Sequence, residues 1–161
     1  MGYENNIKID SFDCIRTLNS FIHEIDKNEP DLIIVGGQSQ TIPYSTGNLS
    51  FYPPFQHEFL LGTEPDAVIL CINPHDEIDY IKRTVDYLQS FFNSKVIAFS
   101  LYPKSNYNKW AVYSTNSYFV DPKVLYDKKN ELESVFRIPC IVYLDTSDIE
   151  EIADVVVNFF A

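Results

Sequence analysis

Four short segments of the chain are continuously apolar and rich in valine and isoleucine. Runs of this length, without polar residues at alternate positions, are typical of strands that are covered on both faces, as in a parallel sheet. A buried helix would need a longer run. The pattern therefore predicts four strands, at Asp31–Gly36, Ala67–Asn73, Lys95–Leu101 and Cys140–Asp145.

Between these runs, apolar residues recur at steps of three and four, which places them on one face of a helix. The spacing predicts helices over residues 11–28 and 76–93, a third that begins at a proline with Asp121 as its N-cap, and a fourth that begins at Ser147. Ser147 and Glu150 have the spacing of a capping box. We also expect a short helix within the long connection between the first two strands.

The alternation of strands and helices predicts an α/β fold, because such connections build right-handed crossovers and a parallel sheet. We expect a three-layer α/β/α sandwich with a mainly parallel sheet of four to five strands, in a Rossmann-like or P-loop-like topology. No linker or repeat interrupts the pattern, so residues 1–161 are predicted to form a single domain, which could be the C-terminal domain of a longer protein. An exposed sheet edge is expected, which a homodimer or a further domain could cover.

Composition limits the classes of partner. The formal net charge of −11 repels nucleic acid phosphates and anionic lipids, so we expect neither nucleic acid nor membrane as a partner. No apolar run is long enough for a membrane span, and the first residues do not resemble a signal peptide. Cys14, Cys71 and Cys140 lack CxxC spacing, so no zinc motif is visible. An odd number of scattered cysteines favours a reducing cytoplasm over secretion. Cys71 and Cys140 are expected to be buried as small apolar groups.

The first predicted strand ends in two glycines, in the sequence DLIIVGGQSQ, where many α/β proteins bind a phosphate. The five glycines of the chain form neither GxxxxGK[ST] nor GxGxxG, and no lysine follows Gly36 at the required spacing. We therefore do not expect this chain alone to hydrolyse ATP or GTP. Two interpretations stay open. The backbone amides of Gly37, Gln38, Ser39 and Gln40 hold an anion, or the glycines only turn the chain.

A second group of polar residues, Asn73, His75 and Asp76, follows the second predicted strand. Ligands bind at this edge of open parallel sheets, and a histidine beside carboxylates can move protons or bind a metal. The alternative is an ordinary turn followed by a helix cap. His57 and Glu58 lie elsewhere, in FQHEFLLG. They do not form the zinc protease motif HExxH, because that motif would need a histidine where Leu61 stands. We predict no metal site and no cofactor.

The stretch NYNKWAVYSTNSYF mixes aromatic residues with amides and predicts a small hairpin around Ser114–Asn116. Its aromatic residues Tyr107, Trp110, Tyr113 and Tyr118 either form an interface, where tyrosine and tryptophan are common anchors, or cover the core. The chain has no GxSxG elbow, and no other nucleophile motif is present.

The order PDLIIVGGQSQ, PDAVILCINP, KVIAFSLYP, IPCIVYLD resembles the C-terminal half of a P-loop NTPase-type domain, whose first strand, phosphate loop and helix would come earlier. The acidic residue expected at the end of that fold's second nucleotide-motif strand is not found, because Gly36 and Gly37 occupy its place. The motifs GGQSQTIPY and INPHDEIDYIK also resemble the C-terminal region of a clostridial peptide-maturation family associated with radical-SAM modification of small ribosomal peptides. That resemblance covers most of the chain and implies a domain that works beside peptide-modifying enzymes, but it assigns no catalytic residue.

Two functions of different class are therefore expected. The first is a non-catalytic accessory or binding module that contacts a peptide or protein partner through loops at the C-terminal edge of the sheet. The second is a small-molecule or nucleotide-related enzyme, or part of one, with a pocket at the strand ends. The missing phosphate-loop, nucleophile and metal motifs favour the first.

Overall fold

The computed structural model describes residues 10–37, 40–45, 47, 49, 52–106 and 117–161. The chain divides into two compact units, Met1–Pro65 and Asp66–Ala161. The single-domain interpretation of the sequence stays a prediction.

The described part of the first unit contains two helices, α1 (Ser11–Asp26) and α2 (Phe55–Thr63). The first corresponds to the helix predicted over residues 11–28, and the second to the short helix expected in the long connection. Helix α1 begins where the carboxylate of Asp10 accepts a hydrogen bond of 2.8 Å from the backbone N–H of Phe12, which satisfies one of the free donors of the first turn.

The two helices approach closely at Gly62 of α2. A Cβ atom at this position would lie 2.6 Å from the Cβ of Leu18 and 3.0 Å from the carbonyl oxygen of Ile15, both in α1. Only a residue without a side chain allows this contact, so the sequence places glycine inside a helix despite its low helix propensity.

Replacing Gly62 by alanine should destabilise the first unit. Alanine gains about 1 kcal/mol in helix propensity over glycine, but the new methyl group must push α1 away, and overpacking of this kind costs about 1–3 kcal/mol. Subtracting the gain from the cost leaves an expected net loss of up to about 2 kcal/mol in the free energy of unfolding, measured by urea denaturation. Gly36→Ala is the matched control, because a Cβ at Gly36 meets nothing within 4 Å. Equal effects of the two substitutions would contradict the close packing of the helices.

The predicted strand at Asp31–Gly36 is wrong. These residues have no regular secondary structure, and Ile34 is 85% exposed. A strand exists only when a neighbour takes its backbone hydrogen bonds, and the apolar run contains no information about that neighbour. Gly36 and Gly37 therefore do not end a strand.

The described part of the second unit contains five strands and three helices. In chain order they are β1 (Ala67–Ile72), α3 (Ile78–Phe91), β2 (Lys95–Leu101), β3 (Lys104–Asn106), β4 (Ser117–Phe119), α4 (Pro122–Phe136), β5 (Cys140–Val142) and α5 (Ser147–Phe160).

Three of these strands form a parallel sheet in the order β1-β2-β5. Strand β2 lies in the middle and is the most deeply buried, with Phe99 and Leu101 fully enclosed. The α/β class and the parallel sheet are therefore confirmed. In the described residues the parallel sheet has three strands, which is fewer than the four to five expected. Strands β3 and β4 pair with each other, antiparallel, in a separate sheet. We call this pair the β3–β4 hairpin. The small hairpin that the sequence predicts around Ser114–Asn116 lies outside the described residues and stays a prediction.

The outer edge of β5 is occupied by side chains of α4. The backbone N–H of Cys140 donates a hydrogen bond of 3.0 Å to Oε1 of Glu133. The ammonium group of Lys129 donates to the backbone carbonyl oxygen of Cys140. Lys129 and Glu133 also pair with each other at 2.9 Å. Both edge-facing backbone groups of Cys140 are thus satisfied without a further strand.

Of the predicted helix starts, one is confirmed and two differ. Asp121 caps α4 by accepting a hydrogen bond of 2.8 Å from the N–H of Lys123. Ser147 is a helical residue rather than a cap, and it donates its own N–H to Asp145 at 2.7 Å. The capping box is wrong because the preceding turn is closed by aspartates, which accept from the backbone amides there. Asp76, expected as a possible cap of α3, instead closes a turn.

The cysteines of the sheet differ in burial. Cys140 is fully buried as predicted, and this burial raises the pKa of its thiol to about 11. Cys71 was expected in the core but is exposed, because β1 is an outer strand of the described sheet and one of its faces is less covered. Nearby protein atoms still desolvate the Cys71 thiol and raise its pKa. Both thiols are therefore poor nucleophiles at neutral pH.

Candidate strand-end site

The three parallel strands deliver their following residues to one edge of the sheet. The N–H of Tyr102, directly after β2, donates to the carbonyl oxygen of Ile72 at 3.2 Å, and the N–H of Tyr143, directly after β5, donates to that of Leu101 at 3.1 Å. The ladder therefore continues one residue past each strand. The chain segments that follow are thereby held side by side, which is the position of ligand sites in open parallel sheets.

The segment after β1 is a tight turn that two hydrogen bonds close. The N–H of Asp76 donates to the carbonyl oxygen of Asn73 at 3.0 Å, and the N–H of Asn73 donates to Oδ2 of Asp76 at 2.9 Å. The N-cap of α3 is Glu77. The turn fixes His75 at its tip, where the imidazole is exposed.

His75 contacts the hairpin. Its Nε2 lies 3.2 Å from the hydroxyl oxygen of Tyr118, and the tautomer of the imidazole decides which of the two donates. Tyr118 lies in the middle of β4, opposite Ser105 of β3. The sequence named His75 as a ligand residue and Tyr118 as an interface residue, and the structure brings these two side chains together.

The turn after β5 is built by two aspartates. Oδ2 of Asp148 accepts from the N–H groups of Leu144, at 2.7 Å, and Asp145, at 2.8 Å. Hydrogen bonds from the hydroxyl and the N–H of Ser147 lower the pKa of the Asp145 carboxyl. These carboxylates are engaged by the backbone of their own turn, so their first role is to shape the edge.

Large side chains are exposed around these turns. They belong to the residues that follow the parallel strands and to the outer face of β4. The exposed large side chains are Tyr102, Phe119, Tyr143 and Leu144. We call these four residues, the Asn73–Asp76 turn and Tyr118 the strand-end surface. The ammonium group of Lys104 lies 4.6 Å from the ring centre of Phe119, a favourable cation–π contact. Aromatic groups exposed beside polar ones are typical of binding surfaces.

Within the described ranges, no group of three or more histidine, cysteine, aspartate or glutamate side chains is placed to hold a metal ion. Each helix in the described ranges is too short or too polar to span a bilayer.

The remaining predicted site residues are two in the first unit and five that the structure does not describe. Gly37 and Gln40 belong to the first unit, where a Cβ at Gly37 would lie 2.9 Å from the amide nitrogen of Gln56. Several predicted residues lie outside the described residues, namely Gln38, Ser39, Tyr107, Trp110 and Tyr113. Their roles stay predictions.

Sequence reasoning did not single out Phe119, Tyr143 and Leu144. Tyr143 and Leu144 were missed because the predicted strand ran from Cys140 to Asp145, whereas β5 ends at Val142. A useful signal was present, since aromatic residues directly follow two of the apolar runs.

The parallel sheet, its crossover helices and the strand-end site define an α/β domain of P-loop-like type. The chain matches the family described as "Domain of unknown function (DUF1611_C) P-loop domain" over residues 9–153. It belongs to that family. No curated protein and no solved structure matches the chain.

Proposed function

We propose that this chain is a non-catalytic binding module that recognises a peptide segment through the strand-end surface. The observation that carries the proposal is the exposure of Tyr102, Tyr143 and Leu144 directly after two neighbouring parallel strands. Side chains of this kind lose little conformational entropy on binding and bury a large area, so they are common anchors of interfaces.

The hydrogen bond between His75 and Tyr118 supports the same role. It links the turn after β1 to the hairpin, so each of these two segments restricts the motion of the other. Preorganised side chains lose less freedom when a partner binds, which favours affinity.

The resemblance to a peptide-maturation family supports a peptide as the partner. In this proposal the chain works in the cytoplasm, as an accessory to enzymes that modify a ribosomally made peptide. A sheet of four or more strands, with helices on both faces, belongs to the same proposal, because a bound partner could supply the additional strand.

The family match favours one alternative, a nucleotide-related role, since the family is described as a P-loop domain. The chain contains no GxxxxGK[ST] sequence. In this alternative it would contribute strand ends to a nucleotide site whose phosphate loop comes from elsewhere.

Replacing Tyr102 and Tyr143 together by alanine should weaken peptide binding at least about tenfold, because loss of interface anchors typically costs more than about 1.4 kcal/mol. The measurement is fluorescence anisotropy with a labelled synthetic peptide in which valine alternates with threonine between terminal lysines. Phe91→Ala is the matched control, because Phe91 is exposed on α3, outside the strand-end surface.

A thermal-shift comparison separates the alternatives. Stabilisation by the peptide and not by ATP, GTP or their magnesium complexes is expected. Stabilisation by a nucleotide, abolished in the double variant, would contradict the binding-module proposal.

A further inference from the structure

The two outer strands of the parallel sheet differ in how their edges are closed. At β5, Glu133 and Lys129 occupy the outward-facing N–H and carbonyl of Cys140. An added strand at this edge would have to displace both side chains. Proteins use charged side chains in this way to block pairing with another chain.

In the part of the chain that the structure describes, no charged side chain is hydrogen-bonded to the outer edge of β1 in this way. The carbonyl oxygen of Asp66 accepts from Lys95 at 3.0 Å, and that of Ile72 accepts from Tyr102 at 3.2 Å. Since backbone groups alternate along a strand, the even-numbered residues of β1 bond to β2 and the odd-numbered ones face outward. The outward residues are Ala67, Ile69 and Cys71. Among the residues that the structure describes, no backbone hydrogen-bond partner is found for their outward groups.

The side chains of β1 also suit an added strand. The strand AVILCI contains no charge, no proline and no glycine, although such residues commonly protect an edge. Leu70 and Ile72 are buried on one face, whereas Cys71 is exposed on the other. An incoming strand would therefore find open backbone groups and incompletely covered apolar side chains together.

Acidic residues lie at both ends of this edge. Asp66 directly precedes β1, and Asp76 and Glu77 follow it. Basic residues at the ends of a bound peptide would meet these carboxylates, while a neutral apolar centre would meet the strand. A second copy of the chain fits less well, because each copy carries a net charge of −11 and would bring the same acidic ends.

We propose that the outer edge of β1 binds an extended peptide as an added strand, with alternating apolar residues at its centre and lysine or arginine at its ends. This inference rests on the proposed peptide-binding function and names a second surface for it. Main-chain hydrogen bonds to Ala67, Ile69 and Cys71 hold the peptide, as in other cases of strand addition. Because β1 leads into the Asn73–Asp76 turn, the peptide passes from this edge to the strand-end surface.

The test uses the full chain and the alternating valine–threonine peptide with terminal lysines. Two N-methylated versions of the peptide differ only in which set of alternate amides is blocked. One version removes the donors that face β1, and the other removes those that face solvent. We expect one version to bind at least about tenfold more weakly than the unmodified peptide and the other to bind equally, because ladder donors occur on one side only. Equal affinity of both versions would overturn the proposal.

A variant of the protein gives the complementary result. Ile69→Pro removes an outward N–H and leaves the β1–β2 ladder in place, as proline at an edge strand allows. We expect it to weaken binding at least about tenfold, with Ile69→Val unchanged. The N-methylated peptides keep the test decisive should this variant not fold.

Hydrogen exchange identifies the occupant. The Ile69 amide should exchange rapidly in the free protein and slowly with bound peptide. Protection in the free monomer, or protection that rises with protein concentration as a dimer forms, would overturn the proposal. If the peptide binds without protecting Ile69, and the Tyr102 and Tyr143 variant abolishes binding, the edge proposal fails while the strand-end function stands.

Discussion

Replacing Phe99 by alanine is expected to lower the free energy of unfolding by about 3–5 kcal/mol, the largest effect of any substitution considered for this protein. Phe99 lies in the middle of the central strand β2 and is fully buried. Its ring packs edge-to-face against Phe136 of α4, with ring centres 5.2 Å apart. Truncation therefore removes a large apolar surface, leaves a cavity, and deletes an aromatic pair.

Urea denaturation followed by circular dichroism measures this effect. Val157→Ala is the control, because Val157 is an exposed residue of α5, and substitutions at exposed positions usually change stability by less than about 0.5 kcal/mol. A loss below about 1 kcal/mol in Phe99→Ala would contradict the placement of β2 at the centre of the core.

Glu133→Ala has the second largest expected effect, a loss of about 1–3 kcal/mol, because it leaves a buried backbone donor unsatisfied. The donor is the N–H of Cys140 at the outer edge of β5. The substitution also removes the partner of Lys129. Glu131→Ala on the same helix is a matched control. Glu131 pairs only with a lysine of its own helix in the contacts described, and such surface pairs contribute about 0–1 kcal/mol.

The pH dependence of stability checks the same contact. Burial raises the pKa of Glu133, but the N–H of Cys140 and the ammonium group of Lys129 outweigh it, so the pKa lies below its usual value. A carboxyl with a lowered pKa stabilises the fold above its unfolded-state pKa, and this contribution disappears as the pH falls through the folded-state pKa. The difference between wild type and Glu133→Ala should therefore shrink below about pH 4. A difference that persists undiminished at lower pH would contradict the charged contact.

The sequence predicted those parts of the fold that local patterns determine. The apolar spacing located the four long helices to within a few residues, and the runs AVILCI, KVIAFSL and CIV located the parallel strands. Asp121 could be identified as a cap because its proline and the following apolar face identify the helix start.

The predictions failed where the structure of a segment depends on the strands beside it rather than on its own sequence. The run DLIIVG has the composition of a strand, but its residues make no ladder, and apolar content alone cannot provide one. Cys71 has the same sequence context as Cys140, yet it lies on an outer strand and is exposed. Position within a sheet depends on strand order, which is absent from the local pattern.

The strand-end site was predictable in part. The turn after β1 could be placed at the ligand edge because parallel strands share that edge. The contact between His75 and Tyr118 could not be predicted from the sequence, since the two residues are separated by 43 positions. Their proximity requires the hairpin to fold back beside the turn, which no spacing rule specifies.

We expect this chain to bind an extended peptide along β1 and the adjoining strand ends. Nuclear magnetic resonance titration of the isotope-labelled protein with the lysine-ended valine–threonine peptide tests it most directly. The amide shifts should concentrate in Ala67–Ile72, at His75 and Asp76, and at Tyr102 and Tyr143. Shifts confined to the outer face of α3, or no shifts at saturating peptide, would contradict it.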